Sequence, residues 1–375
     1  METISAGYRH SLFIDTNLRG WSCGFNDTSQ PGIGAPKSKP VKVFDVPVQS
    51  ASSSWNHSIL LDKEGFIWSY GNNHYCQLGF NDKKDRFCPE KITGIPAMQS
   101  ISTGQVHSMF LDVEGSVWTC GSNGTGQLGH PTVIHVQQKP LRVHGIPKIH
   151  AISAGGAHSL FLDEDGIVWG CGYNYFGQLG MEFAQEKMKV ERILNLPKIV
   201  SVSAGQNHSM FLDDSGDVWV CGSNHDCQLG HSTPRLQTNH IEKIKDLPKI
   251  KAISGGGHSL ILDYDGYVWA CGTNYYGELG LGDVNYTKEF VKLENQPKIQ
   301  AISAGKYHSL FLDEEGTAWT CGYNTNGELG LGDKLDRSTP TKIPSLPAIA
   351  SVPTRGFRTK SARNYQKLKS DVFII

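Results

Sequence analysis

Apolar and polar residues along this chain alternate in short runs, and glycine or charged residues close each run. In the stretch that begins Ala301-Ile-Ser-Ala-Gly-Lys-Tyr-His-Ser-Leu-Phe-Leu-Asp, two alternating segments flank Gly305-Lys306-Tyr307, which reads as a tight turn. Period-two alternation of this kind predicts half-buried β-strands. Ile302-Ser-Ala is strand A and His308 to Leu312 is strand B. Asp313-Glu-Glu-Gly316 turns the chain, Ala318-Trp-Thr-Cys-Gly322 is strand C, and the loop Asn324-x-x-Gly327-x-Leu-Gly330 leads to a short strand D around Pro340-Thr-Lys-Ile343. The frame then recurs, with His at 10, 57, 107, 158, 208, 258 and 308 and Trp always eleven residues later, at 21, 68, 118, 169, 219, 269 and 319. Self-similarity with a period near fifty marks a repeat architecture. Seven copies of a four-stranded antiparallel unit, each too small to bury its own apolar face, predict an all-β fold, a seven-bladed β-propeller whose closed ring leaves only short edges.

Departures show where the pattern is relaxed. Leu18 stands where other copies have the B–C turn glycine, Pro31 where they have Leu, Ser54 where they have the A–B glycine, and Cys76 and Cys227 where they have the C–D glycine. The first copy is therefore expected to be the least regular, and the sixth, Ser254-Gly-Gly-Gly-His258, is one residue shorter in its A–B turn. Ile349-Ala-Ser-Val352 resembles an eighth strand A and competes with the N-terminal segment for the inner place of blade 1; the N-terminal segment is expected to take it. The small Ser-Ala-Gly residues of strand A are expected where inner strands crowd the axis. Strand C is expected to turn its Trp and Cys to one face, as core positions, and its small residue to the other.

No linker interrupts the repeats, so residues 1–350 are expected to form a single propeller and 351–375 a basic C-terminal tail, off the propeller and mobile. The tail holds Arg355, Arg358, Lys360, Arg363, Lys367 and Lys369 against Asp371, six minus one or +5, which leaves −6 for the rest of a chain of net charge −1. That balance selects neither nucleic acid nor membrane. No signal peptide precedes the first copy and no apolar run approaches a membrane span, so a cytoplasmic or nuclear monomer is expected. Six of the nine cysteines share one slot of the repeat (Cys23, Cys120, Cys171, Cys221, Cys271, Cys321), which reads as reduced packing residues.

The signature Ala-Gly-x-x-His-Ser…Asp-x-x-Gly-x-Val-Trp-x-Cys-Gly-x-Asn-x-x-Gly-Gln/Glu-Leu-Gly, matched from residue 4 to about 347, resembles the repeat of the regulator of chromosome condensation. The resemblance implies a seven-bladed propeller and, as partner, a small GTPase of the Ran type, which founding members serve as guanine-nucleotide exchange factors. In those members the exchange face uses acidic residues at the two places before the repeat His and a hairpin wedge in a C–D loop. Here those places hold Tyr8-Arg9, Trp55-Asn56, Gln105-Val106, Gly156-Ala157, Gln206-Asn207 and Lys306-Tyr307, none of them acidic, and the His spacings leave no room for a wedge. An interaction scaffold without exchange activity is the alternative. The plant UV-B photoreceptor branch is also similar but gathers several Trp in these turns, where this chain has Trp55 alone.

Candidate chemistry is sparse. The seven repeat His read as structural, since a reaction needs one base and not seven at equal intervals. His74-x-Cys76 and His225-x-Cys227 each offer two zinc-type ligands but lie three blades apart, so no metal and no cofactor is expected. Ser follows every repeat His, and neighbours on a strand face opposite sides, so the pair makes no catalytic dyad within one copy. A base precedes the apolar residue of every strand D (Lys42, Lys91, Arg142, Arg192, Lys243, Lys292, Lys342), which reads as edge protection or as a phosphate-binding belt. The positive signal is for protein binding. In an A-B-C-D meander the A–B and C–D connections share one face. It would present Tyr8, Arg9, Trp55, Asn56, Gln206, Lys306 and Tyr307 from A–B turns, with Tyr75, Tyr175, Phe176, Tyr275 and Tyr276 from C–D loops. The other reading of these rings is that several merely cap the blade tops.

Overall fold

The computed structural model describes residues 3–25, 37–43, 45–132, 135–181, 186–231 and 236–351. Every element among them is a strand, and the strands form seven four-stranded antiparallel sheets, each a sequential A-B-C-D meander. Blade 7 is typical: A is Ile299–Ala304, B His308–Asp313, C Ala318–Gly322 and D Arg337–Lys342. Strands A and D begin three residues earlier than the alternation suggests. A bulge between Ile299 and Ala301, and another between Thr320 and Gly322, break the period there.

The apolar faces meet between blades. One cluster joins Leu260 and Leu262 of blade 6 to Ile302, Phe311 and Cys321 of blade 7, and six similar clusters complete the circle. Burial of a side chain such as Phe311 contributes about 1.5–3 kcal/mol, so each blade is stabilised chiefly by its neighbours. The strand-C cysteines are fully buried, and burial pushes their thiols well above the usual range. The Trp row is not core, as the alternation had suggested, but half-buried. In each blade one oxygen of the last strand-B Asp accepts the indole N–H, as Asp313 Oδ2 does from Trp319 at 2.8 Å. Its other oxygen accepts backbone amides of the B–C turn, here Glu315 at 3.0 Å and Thr317 at 2.7 Å. Across the C–D ladder each Trp sits opposite the strand-D base, as Trp319 does opposite Lys342. Several of these cations engage turns nearby: Lys243 pairs with Asp217 at 2.6 Å, Lys91 lies 3.0 Å from the Phe66 ring centroid and Lys292 3.5 Å from that of Tyr267.

Two closed rings of hydrogen bonds tie the blades together. The strand-A hydroxyl of each blade accepts an amide of the next, from Ser5 with Ser53 N at 2.9 Å round to Ser303 with Ala6 N at 3.0 Å. Crowding thus explains only the size of these serines. Similarly, each repeat His bonds through Nε2 to the strand-B Ser of the following blade, ending with His308 and Ser11 at 2.9 Å.

The closure of the ring differs from the expectation. The N-terminal Ile4–Ala6 pairs with strand B of blade 1, but Ile349 also bridges Asp15, with Thr16 N donating to Ala348 O at 3.0 Å and Ala350 N to Ile14 O at 2.9 Å. The inner strand of blade 1 is therefore composite. Ile349 fills the slot that Ile299 fills in blade 7, and Ile4–Ala6 fills the rest. Leu18, Cys76 and Cys227 adopt φ of 61°, 60° and 61°, the left-handed conformation glycine provides elsewhere. Pro31 and the tail from residue 352 lie outside the described residues.

Candidate protein-binding face

The A–B turns form a rigid rim around the channel mouth because at every junction but that of blades 2 and 3 one turn donates a backbone amide to the next. Tyr8 N donates to Ser54 O at 3.0 Å, Gln206 N to Gly256 O at 3.0 Å and Lys306 N to Gly7 O at 3.2 Å. Beneath them lie the repeat imidazoles, packed so closely that a Cβ on Gly104 would sit 2.1 Å from a ring carbon of His107. Glycine, with no Cβ, lets this turn pass so close to the ring.

The imidazoles offer no chemistry to solvent. Burial holds them down to about 3, or about 4 for His208, so they stay neutral. The partner Ser donates its own proton to a carbonyl of the preceding C–D loop, as Ser11 does to Glu328 O at 2.7 Å. The hydroxyl must then accept from His308, which fixes the proton on Nε2. A His that donates to Ser cannot serve as its base. Among the described residues no three His, Cys, Asp or Glu side chains converge as metal ligands.

The rim aromatics fall into two groups. Ring centroids of Trp55 and Tyr8 lie 5.6 Å apart, Tyr8 and Tyr307 5.4 Å, and Tyr307 and Tyr276 5.5 Å, a chain that crosses blades 2, 1, 7 and 6. Pairs at such distances gain roughly 0.5–1.5 kcal/mol each beyond area burial. Tyr323 joins the chain 4.7 Å from Tyr276. Over blades 4 and 5 the edge-to-face pair Tyr175–Phe176, at 5.3 Å, is backed by Tyr173 and His225. Tyr323, Tyr173 and Phe25 were not among the candidates, although each directly follows a strand-C glycine, a position from which a ring reaches the rim.

Trp55 is 38% exposed, Tyr75 49%, Tyr175 52% and Tyr275 68%, whereas Tyr8, Phe176, Tyr276 and Tyr307 are half-buried. Tyr75 and Tyr275 make none of these ring contacts and stand outside the two groups. Half-buried Asn56 accepts Asn72 N through its carbonyl at 2.7 Å. Lys306 reaches across the shortened turn of blade 6 and donates to Gln206 Oε1 on blade 5. Partial burial lowers its ammonium from its usual range. Arg9 lies over the rings of Tyr8 and Phe25. Behind the rim is an open-mouthed cavity of about 140 Å³, lined by the strand-A serines and the turn glycines.

Beneath this face two C–D loops carry buried carboxyls, Glu278 and Glu328, where blades 2 to 5 have Gln77, Gln127, Gln178 and Gln228. Both fold back on their own loop, with Glu328 Oε2 accepting Asn326 N at 2.8 Å and Glu278 Oε2 accepting Tyr276 N at 2.8 Å. Desolvation raises both, Glu328 to about 7.

Comparison with known proteins gives consistent matches. The RCC1-like domain matches residues 96–357, and the regulator of chromosome condensation (RCC1) repeat matches 64–111. The chain is 39% identical over 190 residues to the mouse X-linked retinitis pigmentosa GTPase regulator, covering 48% of this chain and 19% of that protein. It is 28% identical over 189 residues to the ultraviolet-B receptor UVR8 of Arabidopsis thaliana, covering 48% of this chain and 43% of the receptor. The chain thus spans less than half the length of these relatives. Among solved structures it superposes on Prp20p of Saccharomyces cerevisiae, described for its binding to Gsp1p and histones, with a TM-score of 0.80 and 23% identity, covering 89% of this chain and 87% of that one. Human WBSCR16 follows at a TM-score of 0.74 and 22% identity, with 86% and 87% covered.

Proposed function

Because the chain belongs to the RCC1-like domain family, we propose that it is a protein-binding propeller that regulates a small GTPase of the Ran type through its A–B/C–D face. The observation that carries this reading is the chain of rings from Trp55 through Tyr8 and Tyr307 to Tyr276, set on turns locked to one another around the mouth. Aromatic and Arg side chains on a rigid frame are what protein interfaces concentrate at their centres. The relatives support the class of partner: one is named as a GTPase regulator and another is described as binding Gsp1p.

A scaffold without exchange activity is the second reading, favoured by the rim itself, whose variable places hold no acid. Nucleotide release from a panel of Ran-type and other small GTPases separates the two. An exchange factor accelerates release by orders of magnitude; a scaffold binds and leaves the rate unchanged. If no member of the panel binds at all, a GTPase is not the partner. A protein bound in the cytoplasm or nucleus fits either reading, and among the described residues no helix is long and apolar enough to cross a membrane.

A further inference from the structure

The A–B turns carry two cations and no acid. Lys306 is engaged, since its ammonium donates to Gln206 Oε1. Arg9 is not. Its guanidinium carbon lies 5.0 Å from the Tyr8 ring centroid and 5.4 Å from that of Phe25, and its Nε is buried without a hydrogen-bond partner among the described residues. The carboxyl below it, Glu328, feels the Arg9 charge but makes its hydrogen bonds to its own loop, accepting Asn326 N at 2.8 Å and Asn326 Nδ2 at 3.2 Å. Two rings thus hold a guanidinium fork in place before anything binds, the preorganisation that bidentate pairing with a carboxylate requires. Trp55 and Tyr307 flank Tyr8 and supply the apolar surface beside it.

We propose that the partner of this face presents an Asp or Glu side chain next to a large apolar residue, the carboxylate pairing with Arg9 and the apolar group packing on Tyr8 and Trp55. The proposal rests on the reading of this face as the binding face and adds the chemistry of what it takes. A doubly charged phosphate calls for several free cations, and here Arg9 stands alone because Lys306 is bound to Gln206.

The test pans the intact protein against a displayed library of random heptapeptides and a matched phosphorylated library. The expected outcome is enrichment of Asp or Glu beside Leu, Ile, Phe, Trp or Tyr. A synthetic peptide of the leading sequence should bind Arg9→Gln about tenfold or more weakly, as loss of a charge-assisted pair implies. Arg9→Lys should fall in between, because it restores the charge without the fork. Thermal melts of both variants should stay close to the parent, since the described contacts of the Arg9 side chain are two rings at the half-buried rim. Enrichment of neutral or basic sequences, of phosphopeptides alone, or of nothing overturns the proposal. If Arg9→Gln binds normally while Trp55→Ala does not, the face stands and the carboxylate is wrong; if both bind normally, the face itself is wrong.

Discussion

Ser11 sits at the seam where the last blade meets the first, and replacing it with Ala tests whether the ring is closed there as firmly as elsewhere. Its hydroxyl bonds His308 Nε2 at 2.9 Å and donates to Glu328 O at 2.7 Å, and the side chains of Ser11 and His308 are fully buried. Ser11→Ala leaves an imidazole N–H unpaired where water does not reach, and leaves Glu328 O with only the weak Cys23 thiol donor at 3.4 Å. The orphaned N–H costs roughly 1–3 kcal/mol and the weakened carbonyl about 1 more, so the substitution should cost about 2–4 kcal/mol. Ser209 makes the same two bonds inside the ring, to His158 Nε2 at 3.0 Å and Gln178 O at 2.6 Å, and Ser209→Ala should cost as much. Urea unfolding measures both as shifts of midpoint at constant slope. In the double mutant with His308→Ala the two changes should be non-additive by about 1–3 kcal/mol. A loss below about 0.5 kcal/mol for Ser11→Ala, beside a full loss for Ser209→Ala, would show that the seam is open in solution. Additivity in the cycle would show that the His308–Ser11 bond contributes nothing.

Acid should unfold the protein cooperatively. Burial lowers the seven imidazoles from 6.5 to about 3, or about 4 for His208, so the unfolded chain binds protons that the folded one refuses. Their contribution is complete above 6.5 and falls as pH drops towards 3; near pH 5.5 each costs about 1.4 kcal/mol and seven roughly 10 kcal/mol, comparable to the whole stability of a domain. Near-ultraviolet dichroism should collapse at about pH 5 to 5.5, and native spectra persisting at about pH 4 would contradict it. Glu328 works in the opposite sense: raised from 4.5 to about 7, it stabilises fully below 4.5, and that contribution is lost as pH rises through 7. Glu328→Gln, which puts there the residue of blades 2 to 5, should therefore raise the melting midpoint at pH 8, by about 1–2 kcal/mol in stability, and by less at pH 6; a lower midpoint at pH 8 would contradict this. Ile349→Ala should cost about 2–5 kcal/mol and speed hydrogen exchange at Thr16, whose amide donates to Ala348 O; unchanged exchange there would mean the composite strand is not formed.

The blade count and strand order were legible because a period near fifty, marked by His and Trp, repeats seven times. Strand ends were less so, since the bulges before Ala301 and Gly322 break the alternation from which they are read. The serine and histidine positions were equally plain, but their partners were not. Each reaches into the following blade, some fifty residues on, and nothing local records that contact. The same holds for blade 1, where Ile349 and Ile4 complete one strand from opposite ends of the chain. The Asp–Trp clasp was hidden differently: the six-residue spacing is visible, but a Trp at an alternating position reads as core until its indole N–H is seen to need Asp313. On the rim, Tyr8, Trp55, Tyr276 and Tyr307 were legible as turn residues. That they form one chain across four blades depends on the closure of the ring, whereas Arg9 meets Tyr8 and Phe25 within blade 1.

The affinity of the GTPase panel for the intact protein and for Trp55→Ala tests the central claim most directly. Trp55 lies on a turn, 38% exposed and 5.6 Å from Tyr8, so its loss should weaken binding by about 2 kcal/mol or more, roughly thirtyfold, while the melting midpoint stays at the parent value. Normal binding by a variant that melts much earlier would place the ring in the scaffold and the partner on another face.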